Sequence, residues 1–123
     1  MKIRDHRDLR VYQLAFDCAM EIFYLTSNFP KEERYSLTDQ IRRSSRSVCA
    51  NISEAFRKRR YPKSFIAKLV DSEGEAGETQ TWLQFSVECE YVDKEKADVL
   101  SEKYNLIIAQ LITMENQPEK WSV

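Results

Sequence analysis

The chain has only 2 glycines, 3 prolines and 1 histidine in 123 residues. With turn formers scarce and β-branched runs rare, long helices are favoured over a turn-rich β fold. The lone histidine, His6, excludes the paired Glu-x-x-His ligands of a di-iron bundle and leaves no base beside a nucleophile. Glycine-rich phosphate loops are missing as well. Apolar runs extend only a few residues, so no membrane-spanning helix is expected. The start, MKIRDHRDLR, has no apolar stretch of the signal-peptide kind. A cytoplasmic location is the expectation. Cys18, Cys49 and Cys89 are far apart, form no C-x-x-C pair, and are expected as reduced helix-packing thiols rather than zinc ligands. Asp71, Glu75 and Glu78 could hold a hard cation, but acidic stripes on helices are usually solvated or paired. The expectation is therefore one domain, 1–123, without catalytic activity, metal or cofactor.

What is present is charge, and it is unevenly placed. Residues 31–68 carry 11 Lys/Arg against 4 Asp/Glu, a net of +7, and residues 69–102 carry 2 Lys against 10 Asp/Glu, a net of −8. The overall −1 therefore hides a basic second quarter and an acidic third quarter.

Four helices follow from the 3- and 4-residue apolar spacing. The first is expected from Asp8, as N-cap, to Ser27, with Leu9, Tyr12, Phe16, Ala19 and Phe23 inward. The second should run from Lys31 to Arg59, its stripe being Leu37, Ile41, Ser44, Val48, Ile52 and Ala55. Glu32 and Glu33 suit its positive end, and Arg57 to Arg60 its negative end. Tyr61-Pro62 breaks the chain. The third helix, Pro62 to Glu90, carries a heptad-like seam of Phe65, Leu69, Ser72, Ala76, Thr79 and Leu83. Gly74 and Gly77 inside it suggest close approach of another helix, or a kink. The fourth begins at Asp93 and runs to Asn116 with Ala97, Leu100, Tyr104, Ile107, Ile108, Leu111, Ile112 and Met114. Short connections make sequential helices antiparallel neighbours, so an all-α, up-down-up-down four-helix bundle is expected.

Winding the second helix at about 100° per residue separates its arginines. Gln40, Arg43, Ser47, Asn51 and Glu54 form a polar stripe about a quarter-turn from the apolar one. It is either a partly solvated flank or a hydrogen-bonded seam with another helix or subunit. Asp71, Glu75, Glu78, Trp82 and Phe85 form an acidic and aromatic flank on the third helix. If the basic flank of one copy meets the acidic flank of the next, the head-to-tail contact closes a ring. Arg42, Arg46, Arg57, Lys58, Arg59, Arg60 and Lys63 remain free to meet phosphate, and Tyr61 stands beside them to stack on a base.

Several short motifs together resemble a known family. They are Asp8-Leu9, Val11-Tyr12 and Ala15; Phe29-Pro30, Glu32-Glu33, Tyr35, Leu37 and Gln40-Ile41-Arg42-Arg43; Ser47-Val48, Ala50-Asn51-Ile52 and Glu54; and Glu78-Thr79, Trp82-Leu83, then Tyr91. The pattern resembles the small bacterial four-helix proteins encoded in 23S rRNA intervening sequences, a group that includes the accessory variability proteins of diversity-generating retroelements. Members often carry Pro where this chain has Cys49 and Gly where it has Ala55, so the second helix should be straighter and run on towards Arg57. The resemblance implies a homo-oligomeric ring, typically a pentamer, and RNA, DNA or ribonucleoprotein partners.

Two functions are therefore carried forward. One is an oligomeric protein that binds RNA or DNA through the basic second helix and the 57–63 segment. The other is an adaptor for a protein partner such as a nucleic-acid enzyme, its stripes serving assembly only.

Overall fold

The structure, a computed structural model, describes residues 3–121. Four α-helices account for most of it: α1 (Arg10–Thr26), α2 (Leu37–Arg57), α3 (Pro62–Glu88) and α4 (Lys94–Asn116). Single 3-10 turns lie at His6–Asp8, Lys31–Glu33 and Pro118–Lys120, and there is no strand among the described residues. α2 packs on α1 and α3, and α4 packs on α3 and α1, which closes one core.

The α2 and α3 stripes are buried as expected, with Ile41, Ser44, Val48, Ile52, Ala55, Leu69, Ser72, Ala76 and Thr79 all shut off from solvent. Small residues let these two helices approach, and their hydroxyls bond across the gap. Ser44 Oγ lies 2.8 Å from Thr79 Oγ1, and Ser72 Oγ donates to Val48 O at 2.8 Å. A buried hydroxyl left unpaired would cost about 1–3 kcal/mol, so these bonds are what make serine and threonine tolerable there. The partners run in opposite order along the two helices: 44 with 79, 48 with 72, 51 with 68.

Five expectations are corrected. In α1 the buried stripe is Val11, Ala15, Cys18, Ile22 and Thr26, one residue round from Tyr12, Phe16, Ala19 and Phe23. Both sets repeat at 4-3-4, so spacing does not separate them. The crowded interior takes the smaller side chains, and Phe16 is left 49% exposed. The second helix is not continuous from Lys31. Ser36 adopts φ −125° and ψ −103°, and α2 starts at Leu37, whose N–H donates to the Glu33 carboxylate at 3.3 Å. Gly74 and Gly77 approach no other helix of the chain, since a Cβ at either would meet nothing within 4 Å.

Asp8 is not the N-cap of α1. It closes a capping box with Asp5 one turn earlier, accepting from the backbone of Arg4 and Asp5 while Asp5 accepts from Arg7 N. Ile112, placed inward by its apolar character, is exposed, and Trp121 packs back against the core. Cys18 and Cys49 are buried, which pushes their thiols up to about 11 and about 12, whereas Cys89 is exposed at the end of α3. α2 does run unbroken through Cys49 and Ala55 to Arg57. No described helix is long and apolar enough to cross a membrane.

Candidate nucleic-acid interface

The polar stripe of α2 faces α3 of the same chain. Arg43 pairs with Glu75 at 3.3 Å and with Glu78, whose carboxylate also accepts from Trp82 Nε1 at 3.4 Å. The hydrogen bond that Arg43 donates to Glu75 leads in holding the Arg43 charge above its ordinary arginine value. Further along, Lys68 from α3 reaches Glu54 at 3.2 Å and Asn51 Oδ1 at 3.4 Å, while Asn51 Nδ2 donates to Ser47 O at 2.9 Å. Lys58 completes this group at 3.3 Å from Glu54, and Asp71 pairs with Lys68 at 3.6 Å. The basic and acidic flanks therefore satisfy one another inside one chain. Arg43, Glu75 and Glu78, expected between neighbouring copies, are already paired here. Gln40 lies half-buried on the same stripe.

The α1-facing side of α2 is different. Arg42, Arg46, Ala50, Ser53 and Arg57 recur at 4-4-3-4 and line one side for about 22 Å. Arg42, grouped by the sequence with the phosphate-facing residues, is tied to α1 instead. Its guanidinium donates to Thr26 Oγ1 at 2.8 Å and Phe23 O at 3.2 Å and lies 4.7 Å from the Phe23 ring centroid. It thus satisfies a terminal carbonyl of α1. Arg46, one turn on, is exposed and has no ion pair among the described residues. A cleft of about 690 Å³ lies here, with Lys31, Arg34, Arg42, Arg43 and Arg46 on its walls.

At the far end of the stripe the chain forms a second cleft, of about 790 Å³, lined by Arg57, Arg59, Arg60 and Tyr61 on one side and by Arg4 to Arg7 on the other. Five arginines meet one carboxylate, Asp5, which is taken up by Arg7 through Nε at 3.1 Å and the terminal nitrogen at 2.6 Å. Arg59 lies flat on the Phe56 ring, 3.6 Å from its centroid, and donates to Phe56 O at 2.8 Å, capping α2. Burial, then the neighbouring Arg57 charge, pulls Arg59 below its ordinary value. Arg57, Arg60 and Arg4 have no side-chain partner among the described residues, and neither does Lys63 beside them. Arg4 and Arg7 were not singled out in the sequence. They lie some 50 residues from Arg57 and arrive only because the capping box folds the N-terminal segment against the end of α2.

The model of the 23S rRNA-intervening sequence protein family matches residues 7–113, all four helices but for the last turn of α4. The chain belongs to that family. A crystal structure of a protein of unknown function from the S23 ribosomal protein family of Bacteroides thetaiotaomicron VPI-5482 is similar to it, at 29% identity and a TM-score of 0.77, over 86% of this chain and 95% of that one. No curated protein matches it. In this member of the 23S rRNA-intervening sequence protein family, the motif residues Asn51 and Glu54 on α2 and Glu78 and Trp82 on α3 all belong to the polar seam. Tyr91 ties the α3–α4 connection to the start of α2, donating to Glu33 at 2.8 Å. These motif residues pack and pair within the chain, and the matched region includes Arg7 and residues 57–61 of the basic cleft but not Arg4 to His6.

Proposed function

We propose that the chain is a non-enzymatic, cytoplasmic, up-down-up-down bundle that assembles as a homo-oligomeric ring, a pentamer, and binds RNA or DNA through the α1-facing side of α2 and the 57–63 segment. The observation that carries this reading is the cleft at the end of α2, where five arginines converge on one carboxylate. Gathering five like charges around a single carboxylate costs stability and suits a polyanionic partner. The family name, which refers to 23S rRNA, is in keeping with an RNA partner.

Assembly is supported by a different surface from the charged flanks. Phe16, Met20 and Tyr24 form an exposed apolar stripe along α1, of the kind that usually meets a partner. A ring would repeat the basic cleft around one rim. The bundle order is supported by the opposed pairing of α2 and α3 and by connections of only a few residues at 58–61 and 89–93.

Fluorescence anisotropy with labelled RNA and DNA oligonucleotides at low salt tests binding, and no affinity for either would overturn it. Native mass spectrometry tests the ring. The adaptor reading is favoured by the Trp82–Phe85 ring pair, 5.8 Å between centroids, with Phe85 exposed on the outside of α3. A stoichiometric protein partner recovered after nuclease treatment would establish that reading instead.

A further inference from the structure

The cleft at the end of α2 is a slot between two chain segments, 4–7 and 57–61, rather than a flat basic patch. Its lip carries an aromatic ring, Tyr61, which is 61% exposed and has no ring contact among the described residues. The guanidinium groups divide into two kinds. Arg7 and Arg59 are held by Asp5 and by Phe56 and fix the walls, while Arg4, Arg57 and Arg60 carry charge that nothing in the described chain neutralises.

Resting on the nucleic-acid reading above, we propose that this slot takes an unpaired nucleotide, its base on the Tyr61 ring and the flanking phosphates on Arg57, Arg60 and Arg4, so that the protein selects single strands over duplex. A duplex offers phosphates on a convex surface and keeps its base faces stacked inside. It can use the arginines but neither the slot nor the ring. A single strand can use all three. Stacking on the ring and phosphate contacts read no base edges, so the preference concerns strandedness rather than sequence.

Anisotropy titrations of the full chain with fluorescein-labelled oligo-U, oligo-dT and a blunt duplex of two separate strands, each of about a dozen nucleotides per strand, decide it. The single strands are expected to bind about tenfold tighter or more than the duplex. Tyr61→Ala is expected to weaken single-strand binding by about ten- to a hundredfold, the size of one base–aromatic stack, and to leave duplex binding unchanged. Tyr61→Trp should keep the parent's single-strand affinity. Because Tyr61 is exposed, both variants should keep the parent's circular dichroism spectrum and melting curve. Equal affinity for strand and duplex, or no effect of Tyr61→Ala, overturns the proposal while leaving nucleic-acid binding standing. Failure of all three probes to bind overturns both.

Discussion

Arg42→Ala should destabilise the chain strongly, whereas Arg46→Ala, one turn away on the same stripe, should not. The Arg42 guanidinium makes two hydrogen bonds to α1, to Thr26 Oγ1 at 2.8 Å and Phe23 O at 3.2 Å. Hydrogen bonds from a charged donor contribute about 1.5–3 kcal/mol, and the contact over the Phe23 ring adds about 0.5–1 kcal/mol. The side chain is half-buried, so solvent moderates the total, and a loss of about 2–3 kcal/mol is expected. With a urea slope of about 1–3 kcal/mol/M, the unfolding midpoint should fall by about 0.7–3 M. Arg46 has no partner to lose among the described residues, and its replacement should stay within about 0.5 kcal/mol of the parent. Equilibrium urea unfolding followed by circular dichroism reads both variants, and oligonucleotide anisotropy reads their binding. If Arg42→Ala unfolds at the parental midpoint and instead loses oligonucleotide affinity, Arg42 is a ligand for phosphate and its assignment to α1 is wrong.

Tyr104 is fully buried and its hydroxyl has no partner among the described residues, so Tyr104→Phe should raise stability by about 1–2 kcal/mol in thermal or urea unfolding. A destabilised variant would show that the hydroxyl is hydrogen-bonded after all. Glu90 ends α3 at φ 63°, with Tyr91 N donating to Ser86 O and Glu90 N to Val87 O, an arrangement glycine adopts without steric cost. Glu90→Gly should therefore stabilise the chain by about 0.5–1 kcal/mol, and a loss of stability would contradict this. Glu115 is pushed up from 4.5 to about 7, first by burial, then by its hydrogen bond to Glu73 and by the Glu73 charge. The native state thus holds this proton more tightly than the unfolded chain. Its contribution is complete below pH 4.5 and is lost as pH rises through about 7. Glu115→Gln should flatten the parent's fall in stability across that window, and identical pH profiles would refute the assignment.

Much of the fold was legible because the stripes from Leu37 to Ala55 on α2 and from Phe65 to Leu83 on α3 keep one helical period and are buried, although α2 also buries a second row, Ser45, Cys49 and Phe56, beside its stripe. The α1 stripe was misread because two registers one residue apart share the same spacing. Hydrophobicity favours the aromatic set, while the space between the helices favours Ala15 and Cys18. Gly74 and Gly77 suggest a close contact or a kink in α3, and the contact is not made within the chain. Absent bulk looks the same in sequence whether a neighbour fills it or not. The polar seam was legible as a stripe, but its partner was not. Arg43 could face another copy or α3 equally well on spacing alone, and only the fold brings Glu75 and Glu78 to it. The basic cleft was half legible. Arg57 to Arg60 are contiguous, but Arg4 and Arg7 reach them through a capping box at Asp5 and Asp8 that was read as a helix start.

The central claim is that α2 and its end meet nucleic acid through phosphate contacts, and the salt dependence of oligonucleotide affinity tests it most directly. Five cations on this surface, Arg4, Arg46, Arg57, Arg60 and Lys63, have no partner among the described residues. If each displaces a counter-ion from a single strand, log K should fall with log salt at a slope of about −3.5, or about a hundredfold between about 50 and 200 mM. The double variant Arg57→Ala/Arg60→Ala should lower the magnitude of that slope by about 1.4. A slope near zero, or one that the double variant leaves unchanged, would contradict the account.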